Sequence, residues 1–480
     1  MDGGAREGSL DKSPRTMSTK LTLIIIGTCL VLQSCTDLHG GDDRMNAAVA
    51  TTTMVPDLPA RTAPIGLPGE AEQLRATHAK LKALVTKDPN DLKTWLKLSE
   101  VFITEARITG NYGPNQDAAL EILDRILEKT KGADRKDRDL RGEALTLKAL
   151  VKLSQHQFED ALALGKEAVE LDPHRAFNYG VLVDANVELG HYDEAVKMSD
   201  KMVGTRPDLR SYSRVSYLRE IYGDVPGAIQ AMELAVKAGY PGAEETSWSR
   251  VQLGGIHERY GDLKKADEQY QLALVERPDY PFALAAAGRV AGKQKDFARA
   301  EELLNKAIVR MPDAHFLVDL ARVLDAQGKK EAYAEAIRRA EDALIGNRLK
   351  KAEATDVPAI SHGHSHEVGL EMARFELEFH KDLPVALANA EHEFEHRENN
   401  IDVNATLAAI LYAQGAYGAA TTHLDMAKST GSKSAEILLM DGLLTAANGN
   451  VEAGRKLVKQ AFAKDPYLQH AFAGSGRAML

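Results

Sequence analysis

The sequence predicts an all-α fold, a right-handed superhelical solenoid of about ten helix–turn–helix repeats over residues 70–480. The first observation is periodicity, because Pro278 and Pro312 stand 34 residues apart and close two adjacent copies of one pattern. The second is composition, with 27% charged and only 6% aromatic residues and alanine throughout, which is typical of tightly packed helices. Because each repeat packs mainly on its neighbours, 480 residues need no single large core.

The central stretch, Trp248 to Pro312, shows the pattern most clearly. The first copy contains Leu253, Gly254, Tyr260, Gly261, Ala266, Tyr270, Ala273 and Pro278, and the second contains Gly288, Phe297, Ala300, Leu304, Ala307 and Pro312. These residues and offsets resemble the 34-residue tetratricopeptide repeat (TPR). We expect Gly254 to face Ala266 and Gly288 to face Ala300, because larger pairs would push the two helices apart. The resemblance implies a binding surface and supplies no reaction.

The first 35 residues contain a basic residue, a short apolar run and a cysteine in close succession. Lys20 precedes the apolar run Leu21 to Leu32, which is too short to cross a bilayer and suits a signal-peptide core. The run ends at Leu32-Gln33-Ser34-Cys35, which resembles a lipobox. The resemblance implies a cleaved signal peptide over residues 1–34, with Met17 as a candidate true start, and acylation of Cys35 with fatty acid such as palmitate. An ordinary secretory leader cut near residues 48–50 is the alternative.

This leader predicts a lipid-anchored protein of the bacterial cell envelope that faces the periplasm or the exterior. Cys29 and Cys35 are the only cysteines, so no disulfide is expected in the mature protein. Residues 35–69 contain Pro56, Pro59 and further prolines without apolar periodicity, which predicts a disordered tether.

The repeats follow in order after a first helix that begins near Glu70. An irregular first repeat leads to steadier copies that end at Pro173 and Pro207, again 34 residues apart. Another copy precedes the central pair, and a looser one continues to about Leu349. A histidine-rich break near 355–366 follows. The last three repeats are expected over residues 370–397, 404–427 and 438–466.

One motif matches the zinc-protease pattern H-E-x-x-H, with His392, Glu393 and His396. Such a protease needs both histidines in a cleft, and the repeat register turns them outward, because Ala386, Ala390 and Phe394 take the buried positions. We therefore favour a solvated helix face. With no nucleotide loop, no nucleophile beside a base and no paired carboxylates at a recognisable spacing, the sequence predicts neither an enzyme nor a cofactor.

A second histidine motif gives the alternative function. His362, His364 and His366 alternate within the break, and three imidazoles on one side of an extended segment suit Zn, Ni or Cu. Glu367 or His380 would be a further ligand. This alternative describes a metal-binding or metal-handling envelope protein, whereas solvated or helix-packing histidines are the plainer interpretation.

Aromatic residues recur at the second position of several repeats: Phe177, Trp248, Phe282 and Phe316. They are candidates for gripping an extended peptide or a helix on the concave face, and packing between repeats is the competing interpretation. Tyr217 and Arg289, further along their helices, are expected to face the same groove, as is Asp184.

Charge and scaffold together predict a binding protein. The formal net charge of −10 disfavours a nucleic-acid partner, which would need a concentrated basic face. We therefore expect a membrane-anchored extracytoplasmic TPR scaffold that binds protein or peptide partners through its concave face.

Overall fold

The computed structural model describes residues 55–61, 63–132, 135–354 and 369–468. These residues are almost entirely helical and contain no β-strand. None of the helices in this part of the chain combines the length and apolarity that crossing a membrane requires. The helices are α1 (Glu70–Lys87), α2 (Leu92–Thr109), α3 (Tyr112–Lys129), α4 (Arg135–Ser154), α5 (Phe158–Leu171), α6 (Ala176–Glu188), α7 (Tyr192–Thr205), α8 (Leu209–Ile221), α9 (Val225–Ala238), α10 (Glu244–Arg259), α11 (Leu263–Glu276), α12 (Pro281–Lys293), α13 (Phe297–Arg310), α14 (Ala314–Ala326), α15 (Lys330–Ala354), α16 (Gly369–Phe375), a π-helical turn (Glu376–His380), α17 (Leu383–His396), α18 (Ile401–Ala413), α19 (Tyr417–Ala427), α20 (Ala435–Ala447) and α21 (Val451–Lys464).

The helices after α1 pack as ten consecutive hairpins. We number the hairpins 1 to 10, from α2/α3 to α20/α21, and call the earlier helix of each pair its first helix. Each hairpin also contacts the next one along the chain, and hairpins 7 and 8 meet through a shared apolar cluster and the Arg322–Glu378 ion pair. The predicted all-α repeat solenoid is therefore confirmed for the described residues. It has no single core, since its buried side chains form a series of clusters along the chain.

Local sequence sets where the second helices begin and end. Asp262 and Asp296 each precede a second helix and accept a hydrogen bond from the backbone N–H three residues later, which caps the helix. Gly261, just before the first of these caps, has φ of +88°, a conformation that glycine adopts without strain. Pro278 and Pro312 follow the ends of α11 and α13 and cannot continue a helix.

The small residues of the repeat pattern lie at the hairpin interfaces. Ala266 and Ala300 are fully buried, and a Cβ added to Gly288 would come within 3.2 Å of the Ala300 carbonyl oxygen. The predicted pairing of Gly254 with Ala266 differs in the structure, because the ring of Tyr270 covers Gly254. A Cβ there would lie 2.4 Å from Tyr270 Cε1. The tyrosine takes this position because its hydroxyl also reaches a buried glutamate, Glu258, at 2.8 Å.

The predicted tether over residues 35–69 needs a correction at its C-terminal end. Val55 and Ile65 are buried, and the Arg61 guanidinium donates two hydrogen bonds of 2.7 and 2.6 Å to the Glu105 carboxylate on α2. This buried, bidentate ion pair attaches the segment to α2, and it does so without the apolar periodicity that would reveal the contact in the sequence. Residues 55–69 thus belong to the folded body. Residues 1–54, with the signal peptide and Cys35, lie outside the described residues, as does the predicted break near 355–366.

Contacts between distant hairpins join hairpins 3 and 4 to hairpins 8 and 9 and to the loop before α20, and we call this set the seam. The Ile401 N–H donates to Tyr192 Oη at 2.9 Å, and Thr430 Oγ1 donates to the Ile221 carbonyl at 2.8 Å. Both contacts join residues 209 positions apart, or about six repeats. Gly190 is needed at the seam, because its φ is +75° and a Cβ there would lie 2.5 Å from the Asn399 carbonyl carbon.

The fit of Tyr270 against Gly254 predicts the cost of one added methyl group. We expect Gly254→Ala to destabilise the protein by about 1–3 kcal/mol, because overpacking forces the ring or the helix to move. Gly204→Ala is the matched control, since Gly204 is an exposed residue of α7 with nothing within 4 Å of an added Cβ. It should stabilise by about 0.5–1 kcal/mol through helix propensity. Urea unfolding of both variants measures the difference, and equal stability of the two would contradict this packing.

Candidate partner-binding face

The first helices line two adjoining cavities inside the repeat array. The seam cavity, of about 470 Å³, is lined by residues that include Leu153, His156, Glu188, Glu371, Arg397 and Asn400. The arginine cavity, of about 460 Å³, is lined by residues that include Arg289, Asp319, Arg322, Arg374, Glu378 and Met440. Both cavities share Glu371 and Arg374. The first helices of hairpins on both sides of the seam therefore provide one interior face, on which charged and apolar side chains are mixed.

The seam cavity places carboxylates around one arginine. Arg397 Nη1 lies 2.9 Å from Glu188 Oε2, and its Nη2 lies 2.7 Å from Glu393 Oε2. The Glu188 side chain is 43% exposed, but that surface opens into the cavity. Burial raises the pKa of Glu188 to about 7, against the lowering effect of Arg397. The nearby charges of Asp402, Asp184 and Glu371 raise it further.

A buried group of charges, which we call the Glu258 cluster, lies beside the arginine cavity. Glu258 on α10 accepts hydrogen bonds of 2.7 and 2.8 Å from Arg289 on α12, and Lys293 Nζ lies 2.9 Å away. Arg289 and Arg322 both reach Asp319 at 3.1 Å. Burial raises the pKa of Glu258, but Arg289 and Lys293 hold it well below its usual range. The cluster joins the first helices of hairpins 5, 6 and 7.

The C-terminal segment reaches the same cluster. Asp465 Oδ1 lies 3.0 Å from Lys293 Nζ, and Tyr467 Oη donates to the Arg289 carbonyl oxygen at 3.3 Å. The Tyr467 ring lies 5.3 Å from Lys293 Nζ and 5.7 Å from the Arg322 guanidinium carbon. The interior face thus binds an acidic residue, Asp465, and an aromatic residue, Tyr467, of the protein's own C-terminal segment.

Three of the predicted aromatic residues form a continuous series, which we call the aromatic ladder: Trp248, Phe282 and Phe316. The ring centroids lie 5.1 Å apart between Trp248 and Phe282 and 5.9 Å apart between Phe282 and Phe316, both edge to face. Phe316 is only 6% exposed, whereas Trp248 is 41% exposed. Phe316 therefore serves to pack adjacent repeats, whereas the ring of Trp248, at the other end of the ladder, is partly exposed to solvent.

The remaining candidates of the predicted face are already engaged by neighbouring side chains. The Arg210 guanidinium lies over the Phe177 ring at 4.8 Å. Tyr217 Oη donates to Asp184 Oδ1 at 2.5 Å, and Asp184 lines the seam cavity. Arg289 lines the arginine cavity. Asp184 and Arg289 are each paired with a residue of a neighbouring repeat, Tyr217 and Glu258, which the sequence pattern does not indicate.

The H-E-x-x-H motif cannot supply the chemistry of a zinc protease. Glu393 is 1% exposed and holds Arg397 through two contacts of 2.7 and 2.8 Å, so it is unable to act on a substrate water. His392 and His396 have side chains that are 41% and 30% exposed, in agreement with the predicted outward orientation. The register placed Phe394 in the buried row, and the structure shows that Glu393 is the more deeply buried residue.

The second histidine motif, His362, His364 and His366, lies outside the described residues, as does Glu367. Of its proposed ligands only His380 is described. Its Nδ1 lies 3.1 Å from Glu376 Oε2 and its Nε2 lies 3.9 Å from Glu341 Oε2. The metal-handling alternative therefore stays a prediction.

The raised pKa of Glu188 predicts a pH dependence of stability. A carboxyl group whose pKa is raised on folding takes up a proton, so its contribution is largest below its usual pKa of 4.5. That contribution is lost as the pH rises through about 7. We expect the unfolding temperature of the wild type to fall more steeply than that of Glu188→Gln between about pH 5 and about pH 8. Thermal unfolding across this range tests it, and parallel profiles would refute it.

Comparison with known proteins gives structural similarity at low sequence identity. No family model matches the chain, and no curated protein matches it. Similar solved structures include MamA, at 18% identity over 33% of this chain and 91% of that chain, with a TM-score of 0.28. YrrB, described as a TPR protein with an unusual peptide-binding site, is 22% identical over 43% of this chain and 97% of its own, with a TM-score of 0.28.

A longer similarity is to a structure of the human IFIT1 dimer with PPP-AAAA. It covers 82% of this chain and 85% of that chain at 14% identity, with a TM-score of 0.40. The fold assignment rests on the ten hairpins and their small-residue interfaces. Over its described residues the chain is an all-α array of TPR-type helix hairpins.

Proposed function

We propose that this protein is a non-catalytic scaffold, lipid-anchored in the bacterial cell envelope, that binds a protein or peptide partner through the first helices of hairpins 5 to 7. The observation that carries the proposal is the aromatic ladder. A half-exposed Trp248 stands at one end of a row of packed rings. An open aromatic ring on a rigid support is the type of residue that dominates binding energy at protein interfaces.

The support of this surface favours binding without a large ordering cost. Phe282 contacts both Trp248 and Phe316, and the Glu258 cluster fixes the three first helices that carry these rings. A partner that meets a preformed surface loses less conformational entropy on binding. The arginine cavity contains both positively and negatively charged side chains, which can donate and accept hydrogen bonds. Such a surface suits a peptide backbone with mixed side chains.

The envelope location rests on the leader. Lys20, the short apolar run Leu21 to Leu32 and Cys35 form the lipobox-like order described above. An anchored scaffold would hold its partner near a membrane surface, and the repeat array supplies the length of contact that such a role needs.

The anchor is tested at Cys35. We expect Cys35→Ser to leave the precursor unprocessed by the lipoprotein peptidase and without incorporated radiolabelled palmitate, because the thiol is the acylated group. Cys29→Ser is the matched control within the apolar run and should be labelled like the wild type. Equal palmitate labelling of the wild type and Cys35→Ser would exclude lipidation at this residue.

The binding surface is tested by two substitutions on one ladder. Trp248→Ala should weaken the affinity for a partner isolated from detergent-solubilised membranes by about 2 kcal/mol or more, with little change in unfolding. Phe316→Ala should instead destabilise the fold by about 3–5 kcal/mol, since it empties a buried site. Affinity and unfolding are measured on each variant. A large loss of stability for Trp248→Ala, with unchanged affinity in the folded fraction, would refute an aromatic contact with the partner.

A further inference from the structure

His392 and His396 form a pair of partly exposed imidazoles on α17. They are four residues apart, which places them on one face of the helix, and their ring centroids lie 5.5 Å apart in an edge-to-face arrangement. Both side chains are accessible, at 41% and 30% exposure. Two histidines at this spacing are the helical part of many zinc sites.

The carboxylate of Glu395 lies close to the two imidazoles. Its Oε2 lies 3.8 Å from His392 Nδ1, and one ligand atom from each of His392, Glu395 and His396 lies within 4.8 Å of the others. Ligand atoms around a tetrahedral Zn²⁺ are about 3.4 Å apart. Accessible side chains can close this difference by small rotations, so the three groups can share one ion.

A fourth group comes from a distant hairpin. Glu159 on α5 places its Oε1 3.7 Å from His396 Nδ1. This residue belongs to hairpin 2, whereas the histidines belong to hairpin 8. An ion held by both helices would link two parts of the chain that the sequence separates by more than 200 residues.

We propose that His392, Glu395 and His396 bind a divalent transition metal such as Zn²⁺, with Glu159 as the ligand contributed by hairpin 2. Imidazole nitrogens with carboxylate oxygens are a ligand set that suits this ion. We assign the ion a structural role, because its ligands come from two hairpins that it would link. Bound metal would stabilise the folded state by mass action.

The test is calorimetric titration of Zn²⁺ into the tag-free protein at about pH 7.5, because metal ions bind the neutral form of an imidazole. The protein should carry His362→Ala, His364→Ala and His366→Ala, so that the separate histidine motif does not contribute. In this background we expect one saturable site. Adding His392→Ala and His396→Ala should weaken it by about tenfold or more. The control His174→Ala changes an exposed histidine in a loop and should leave the affinity unchanged.

Glu159→Gln separates a shared site from one confined to α17. If the ion joins the two hairpins, this variant loses both affinity and most of the zinc-induced rise in unfolding temperature. An unchanged response of Glu159→Gln would overturn the contribution of hairpin 2. Zinc affinity that is the same with and without His392 and His396, or no binding at all, would overturn the site.

Discussion

The structure depends on contacts between hairpins that are about six repeats apart. In a repeat array each unit normally touches only its neighbours, so local errors in angle accumulate along the chain. Here Tyr192 and Glu188 of hairpin 3 contact Ile401 and Arg397 around hairpins 8 and 9. This non-local constraint fixes the curvature between the two groups of hairpins. It also determines which side chains line the seam cavity.

A second set of long-range contacts holds the buried charges of the interior. The Glu258 cluster combines groups from hairpins 5, 6 and 7 with Asp465 of the C-terminal segment. Each buried ion is paired, as the cost of desolvation requires. Because Glu258 and Asp319 are nearly inaccessible, loss of the Arg289 guanidinium would leave uncompensated charge. The first helices that carry the aromatic ladder are therefore held by the polar interior as well as by apolar packing.

The sequence predicts the local architecture well and the long-range contacts poorly. Ala266 and Ala300 are buried as expected, because a 34-residue period reports the packing within and between adjacent hairpins, although Tyr270 and not Ala266 covers Gly254. Residues 55–69 were predicted as a tether, since the Arg61–Glu105 pair has no periodic signal. The pairing of Tyr192 with Ile401 depends on the angle summed over several repeats, which no local pattern specifies. The polar character of Asp184 and Arg289 indicated an interior position, but their partners come from other repeats.

Polar groups at the seam also specify which hairpins meet. Because the repeats are similar, hairpins 8 and 9 could also pair with the hairpin before or after hairpin 3. Apolar contacts alone would discriminate weakly between such a shifted pairing and the observed one. The repeat equivalents of Glu188 are Ser154 and Ile221, which offer no carboxylate to Arg397. Those of Tyr192 are Phe158 and Val225, which have no hydroxyl for the Ile401 N–H. A shifted pairing would remove one of the two carboxylate partners of Arg397, since Glu393 alone would stay bound. It would also leave the buried Ile401 N–H without its acceptor, which costs about 1–3 kcal/mol. We infer that the seam selects one register through these directional contacts.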